Sequence, residues 1–455
     1  MTDDTTLVIL GATGDLTSRL LLPALGQLLD DEPDRRVRLM GAGVDQVSDA
    51  TWRSHVGEAF GPDAGAHARD VAKTTTYRKT DITDAADMKA LLAETTGRPV
   101  LYFAVPPAVA QASCEALRPG DLPEGTILAL EKPFGSDEAS AHALNLTLRA
   151  LLPENQIFRV DHFLGRSTVL NLLGVRFANR VLEPVWKAEH IESVLIRYDE
   201  TLGLEGRAGY YDKAGALDDM IQSHLLQVLA IVAMEPPATL HEADLRDATT
   251  AALRATHVWD DNPVHSSRRA QYTAGTAAGE RMPSYADEPG VDPARQTETL
   301  AEATFEVRTA RWEGVPFTLR SGKALGSAVH EIVLSFRPVR HLPDGFTGEA
   351  PGSVLRFSLG PDAISLELNV NGREDPWALG RAALETDLGT GALRAYADVL
   401  ANILDGDAAL AVRGDAAEQC WRIVQPVIDA WRRGDVPLDH YPAGSEGPEG
   451  WPALP

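Results

Sequence analysis

The chain has 455 residues, of which 44% are hydrophobic and 24% charged; these values exclude a disordered or fibrous protein and leave room for two folded domains. Lys and Arg number 42 against 66 Asp and Glu, a formal net charge of −24. Such a surface repels nucleic acid and anionic membranes, so any phosphate site must be a local island of basic residues. The opening MTDDTTLVIL has no basic n-region, and no segment reaches the roughly 20 apolar residues of a membrane span. Cys114 and Cys420 stand in no metal or redox spacing. The expectation is a cytoplasmic protein with no nucleic-acid or membrane partner.

Taken in chain order, Thr6–Leu10 is a strand candidate, and Asp15–Leu29 carries apolar residues at helical spacing. Val37–Met40, Val100–Val105 and Ile127–Leu130 are further short apolar runs, the last stopped by Lys132 and Pro133. Strands alternating with helices predict a parallel, doubly wound sheet. Helical patterns cover residues 167–186 and 212–234. Strand-like runs then follow at Ser193–Tyr198, Ala301–Val307, Val329–Phe336, Val354–Leu359 and Ile364–Val370, with few helices between the later ones. Residues 282–296 read as a surface loop, and 390–404 and 415–433 as helices. The predicted architecture is an α/β Rossmann-type dinucleotide-binding domain (1–165) followed by an α+β domain with a large, mainly antiparallel sheet (166–455), for substrate binding and oligomerisation.

Strand, then Gly11-Ala12-Thr13-Gly14-Asp15-Leu16, then helix is the layout of a nucleotide-binding turn. Glycine permits the tight turn, and the helix N-terminus offers free N–H groups and a partial positive charge to a pyrophosphate. The motif is GxxG rather than GxGxxG, and a plain strand–helix turn also produces it. Past the second strand come Val44 and Asp45, beside the expected adenosine ribose. An acid there suits the free 2′-hydroxyl of NAD, an arginine the 2′-phosphate of NADP, and no base follows before Arg53; the pattern favours NAD over NADP. Asp45 could instead cap a helix starting near Ser48.

Arg159-Val160-Asp161-His162-Phe163-Leu164-Gly165-Arg166 gathers two bases, an acid and a histidine. Downstream, Asp219 and His224 are five apart, so on an α-helix they point only loosely alike, and Met220 shares a face with His224 more closely. Singly, each reads as blandly as a core histidine or a cap, since function needs several converging groups. None of the 12 histidines falls in a zinc-like spacing.

Read together, GATGDL at 11–16, EKPFG at 131–135, RVDHFLGR at 159–166, ETLGLEGRAGYYD at 200–212, GALDDMIQSHLLQ at 215–227 and RSGKAL at 320–325 resemble the glucose-6-phosphate dehydrogenase family, in order and over nearly the whole chain. The C-terminal Tyr441-Pro442-Ala443-Gly444-Ser445 resembles it too. The resemblance implies that His224 is the base that takes the C1 hydroxyl proton while hydride leaves for nicotinamide, and that Asp161 orients the imidazole. It implies substrate contacts from Lys132, His162, Arg166, Glu200, Asp219 and Lys323. Cofactor contacts would come from Gly11, Thr13, Gly14, Asp15, Leu16, Val44, Asp45, Pro106 and Lys132. It further implies a sugar-phosphate substrate, a homodimer or homotetramer joined through the large sheet, no metal, and a cis Lys132–Pro133 bond.

Structurally, Glu200 could be an ordinary strand-end carboxylate and Lys323 an exposed loop lysine. The family's pattern is broken at Phe163, where a tyrosine is expected, and at Arg166, where a lysine is. It is broken again at Ser223, at Ala328, at Val44, and along Val354–Pro361, which lacks a glutamine. These changes leave open a modified anionic or unphosphorylated hexose, or a silent relative that partners a true dehydrogenase.

Overall fold

The structure is a computed structural model that describes residues 5–165, 167–204, 206, 208–389, 392–451 and 454. Two compact units emerge: Met1–Arg166 with Pro237–Thr250 and Gly391–Gln419, and Ser167–Pro236 with Ala251–Thr390 and Cys420–Pro455. The sequence reading, with its single cut after residue 165, did not foresee the two returning segments.

In the first unit a seven-stranded sheet runs in the order Ala411–Val412, Ile157–Val160, Ile127–Glu131, Arg98–Phe103, Thr5–Leu10, Val37–Gly43, Thr76–Lys79. All its pairings are parallel except that of Ala411–Val412. This is the doubly wound order, in which the connections reverse between Thr5–Leu10 and Arg98–Phe103, and ligands bind beyond the carboxyl ends of the strands at that switch. Both faces are covered, so its strands are continuous apolar runs; Thr5–Leu10 is buried at every residue. One face buries Leu7, Ile9, Leu25 and Leu29 with Leu400, Ile403 and Leu404 of the helix Ala392–Asp405; the other buries Val8, Leu10, Met88 and Leu128.

The second unit is built on a ten-stranded sheet ordered Leu379–Gly389, Asp362–Asn371, Val354–Leu359, Val329–Phe336, Ile191–Asp199, Phe317–Gly322, Leu300–Val307, Ser267–Thr273, Leu438–Pro442, with Thr256–Val258 paired to Leu300–Val307. Ile191–Asp199 with Phe317–Gly322 and Ser267–Thr273 with Leu438–Pro442 are its parallel pairs. The strands Ser267–Thr273, Phe317–Gly322 and Leu379–Gly389 were not read from the sequence; Arg, Gln, Ser and Thr interrupt their apolar alternation.

Two helices differ from expectation. The first of them, Ser167–Phe177, stops nine residues short of the expected end at 186. There the Asn179 side-chain amide donates to the Gly174 and Val175 carbonyls, and Pro184 follows in a separate 3₁₀ turn. The expected helix 212–234 is three pieces: Ala208–Ala216, broken by Gly215 at φ 68°, a π-helical stretch Leu217–Leu225, and Leu226–Ala233. The run Ala208–Ala233 is apolar enough for a membrane span by composition, but 83% of its apolar window is buried within the protein, as in a core helix.

Candidate functional site

The nucleotide turn forms where the sequence predicts it. Gly11 sits at φ +87°, and a Cβ there would lie 2.3 Å from the Ala104 carbonyl oxygen, so only glycine lets the turn pass so close to the strand Arg98–Phe103. The Gly11 and Ala12 N–H groups donate to the Ala42 carbonyl, and Gly14 N–H donates to the Gly11 carbonyl. Thr13 and Asp15 are exposed, Gly14 and Leu16 half-buried, and the π-helical turn Thr17–Leu21 begins directly after. Pro106, also exposed, opens the helix Pro107–Ala116 on the other side of the switch point. The glycine cradle, the open helix end and the switch point together fit a dinucleotide.

Past Val37–Gly43, Val44 is 67% exposed and uncharged. Asp45 accepts a hydrogen bond from the Thr13 hydroxyl at 2.5 Å, which ties it to the turn. It is not a helix cap: Ser48 caps Asp49–Phe60, its Oγ accepting from Thr51 N–H. Arg53 donates to the Thr75 carbonyl and pairs with Asp49, and so is engaged on its own helix and the neighbouring turn.

Parallel register sets Glu131 beside Val160, so Lys132 and Asp161 leave adjacent strand ends. The Lys132–Pro133 peptide is cis. Asp161 is buried, its Oδ1 accepting from Phe163 N–H at 2.9 Å. His162 is half-buried and stacks on Tyr396, centroids 5.1 Å apart. Phe163 is 2% exposed, and Arg166 lies outside the described residues. Arg159 leaves the expected cluster altogether: it is fully buried and donates to Glu154 at 2.7 Å and Asn145 at 2.6 Å. Glu131, which the sequence reading passed over although it opens the EKPFG block, accepts from Tyr102 Oη at 2.5 Å. Burial first, and the Asp161 charge in addition, hold its carboxyl up at about 7, against the lowering by Tyr102 and Lys132. Tyr396 had no local signal at all.

In the second unit, Asp219 and His224 lie on the π-helical stretch, where the N–H of Leu226 reaches back five residues to the Ile221 carbonyl. A π-helix turns less per residue than an α-helix, so Asp219, five residues before His224, lies nearer its face than an α-helix would put it, while Met220, four before and also buried, stays on that face as expected. His224 is 2% exposed. Ser223 donates its hydroxyl to the Asp219 carbonyl at 2.6 Å. Lys323 is no exposed loop residue: it is 6% exposed, forms an ion pair with Glu200 at 2.5 Å, and lies 5.3 Å from the Tyr211 ring centroid. Tyr211, in the segment 200–212, has its hydroxyl held well above the usual range by burial and by Asp219 and Glu298.

The family model described as "Glucose-6-phosphate dehydrogenase, NAD binding domain" matches residues 8–171, and that described as "Glucose-6-phosphate dehydrogenase, C-terminal domain" matches 173–454. The glucose-6-phosphate 1-dehydrogenase of Gluconobacter oxydans is 41% identical over 97% of this chain and 94% of its own length. That of Treponema pallidum is 36% identical over 97% and 92%. A solved glucose-6-phosphate dehydrogenase in complex with glucose 6-phosphate superposes with a TM-score of 0.87 at 29% identity, covering 99% of this chain and 97% of the other. The Mycobacterium avium glucose-6-phosphate 1-dehydrogenase does so at 0.85 and 34%, over 99% and 96%. The chain therefore belongs to the glucose-6-phosphate dehydrogenase family, oxidoreductases that act on a CH–OH group with a nicotinamide dinucleotide.

Proposed function

We propose that the protein oxidises glucose 6-phosphate at C1 to the lactone, with NAD preferred over NADP. The observation that carries this is the buried His224 on the π-helical stretch that also bears Asp219, in a unit that also holds the ion pair of buried Lys323 with half-buried Glu200. A bound dinucleotide supplies the hydride acceptor. Gly11, Thr13, Gly14, Asp15 and Leu16 would hold its pyrophosphate, Val44 and Asp45 its adenosine ribose, and Pro106 and Lys132 its nicotinamide half.

His224 takes the proton of the C1 hydroxyl as the C1–H bond breaks, and Asp161 steadies the imidazolium. Glu200, Asp219, Lys323 and Lys132 orient the sugar hydroxyls; His162 and Arg166 hold the phosphate, the arginine as a bidentate fork. The uncharged Val44 and the acid Asp45 leave a 2′-phosphate without a cation, which supports the NAD preference. Phe163, buried and without a hydroxyl, favours one second reading, a hexose with a modified anionic group. The working form is a cytoplasmic homodimer or homotetramer. Exposed Val370 and Leu384 on the outer strands of the large sheet, and Trp377 in the turn between them, support association.

Steady-state kinetics with NAD and NADP on the parent and on His224→Asn test the reading. The parent turns over glucose 6-phosphate with a higher kcat/KM for NAD. His224→Asn loses about 10²–10⁴-fold in kcat with little change in KM. A variant within about tenfold of the parent sinks the base assignment.

A further inference from the structure

A cleft of about 420 Å³ opens in the second unit, lined among others by Lys213, Asp218, Arg269, Arg295, Glu298 and Arg432. A volume of this size matches a small ligand. On a chain of net charge −24, four basic residues around one cleft are the kind of local island that an anion requires. None of them belongs to the site proposed above.

Arg269 is the fixed element. It is 7% exposed, its Nε and Nη2 donate to the Trp431 and Val436 carbonyls at 3.0–3.3 Å, and its guanidinium lies 5.7 Å from the Trp431 ring centroid. Among the described residues its Nη1 forms no hydrogen bond. The guanidinium is thus pinned from behind with one edge left over, an arrangement that binds an anion with little loss of side-chain entropy. Lys213 and Arg432 are exposed at the rim, and Arg295 pairs with Asp212 at 3.2 Å.

Three carboxyls lie on the lining: Asp212 is engaged by Arg295 at 3.2 Å and by the Tyr285 hydroxyl at 2.9 Å, and Asp218 and Glu298 would oppose an anion if both were charged. Asp218 is faced by Glu298, Arg432 and Asp219, and burial outweighs Arg432 to push it up to about 8. Glu298 receives the Leu217 N–H at 3.0 Å and faces Arg269, yet burial still holds it up at about 7. Near neutral pH Asp218 is therefore mostly a neutral acid, able to donate a hydrogen bond to an anionic oxygen.

We propose that this cleft binds a small polyanion, a phosphorylated metabolite or a tricarboxylate, at a site separate from the substrate site. Leu217 and Asp218 on its wall begin the π-helical stretch that carries Asp219 and His224, so occupancy alters turnover. That consequence rests on the assignment of His224; the binding does not.

Isothermal titration of the full chain with pyrophosphate and with citrate, in the presence of saturating glucose 6-phosphate and without dinucleotide so that no turnover occurs, tests the proposal. One ligand binds per chain, and whichever probe binds tighter identifies the class. Lys213→Glu and Arg432→Glu, both at exposed positions, each weaken binding at least about tenfold, the cost of one lost charge-assisted contact. Citrate, whose charge is constant above pH 7, binds more weakly at pH 9 than at pH 7 as Asp218 and Glu298 ionise. The proposal fails if neither probe binds saturably below about 10 mM, if glucose 6-phosphate displaces the probe, if both variants bind like the parent, or if the affinity is flat with pH.

Discussion

Val44 and Asp45 differ in how they bear on the cofactor. Val44 presents an exposed, uncharged side chain, whereas Asp45 is tied to the turn through Thr13. Replacing Val44 with arginine adds a cation where a 2′-phosphate would lie. One charge-assisted contact is worth about 1.5–3 kcal/mol, so Val44→Arg raises kcat/KM for NADP relative to NAD by about tenfold or more, read from initial rates with both cofactors. An unchanged ratio would remove Val44 from the cofactor site. Glu131 carries a prediction about stability. Its carboxyl is raised from 4.5 to about 7, chiefly by burial, so the unfolded chain ionises first as pH rises. The contribution of the neutral acid is complete below pH 4.5 and is lost as pH climbs through about 7. Glutamine keeps the acceptor for Tyr102 without the charge. Glu131→Gln is therefore expected to be more stable than the parent at pH 8, by an amount on the order of 3 kcal/mol, and equal to it near pH 4.5. Thermal unfolding at the two values decides. Single residues were the least legible part of the sequence. The blocks located Lys323 and Asp161, but whether a lysine is buried against a glutamate or waves in a loop depends on strands that pair from far along the chain. Arg159, two residues from Asp161, shows the same limit: its direction is set by Glu154 and Asn145, not by its neighbours in the motif.

At the scale of elements, strands with unbroken apolar runs were readable, and Val329–Phe336 and Val354–Leu359 end where the pattern ends. The segment bearing His224 was readable as a helix but not as a π-helix. A hydrophobic pattern averaged over a window does not distinguish an i→i+4 from an i→i+5 ladder over nine residues. That difference brings Asp219 nearer the face of His224 than an α-helix would, with Met220 still on it. The entry to the segment is fixed by Gly215, at φ +68°, where a Cβ would fall 2.2 Å from Glu298 Oε1. Glu298 Oε1 in turn accepts the Leu217 N–H, one of the orphan donors at the start of the π-helical stretch. Gly215→Ala imposes left-handed strain of about 1–3 kcal/mol and displaces the carboxylate that caps the stretch. The expected result is a lower melting temperature together with a fall in kcat larger than the change in KM. Normal kcat in a destabilised variant would show that the cap serves folding alone.

For the molecule as a whole, the question is what constitutes a folding unit. The sequence pattern drew the nucleotide-binding domain as residues 1–165, because alternation of strands and helices stops there. Which distant helix covers an exposed face has no local signature. The helix Ala392–Asp405 puts Leu400, Ile403 and Leu404 at 1–3% exposure into the core that contains Leu25 and Leu29. Burying three such side chains contributes roughly 5–9 kcal/mol, comparable with the whole net stability of a domain. The polar interior of this unit has the same dependence. Glu154 Oε1 accepts from Arg159 at 2.7 Å, from Gly414 N–H at 2.9 Å and from Arg246 at 3.1 Å, and two of those donors lie beyond residue 165. A fragment of residues 1–165 therefore exposes an apolar face and leaves Glu154 short of two partners. It should bind a hydrophobic dye, unfold without a cooperative transition and show no saturable NAD binding, whereas the full chain unfolds cooperatively. Cooperative melting and NAD binding by the fragment would mean that the returning segments cover the nucleotide-binding sheet without being needed to form it.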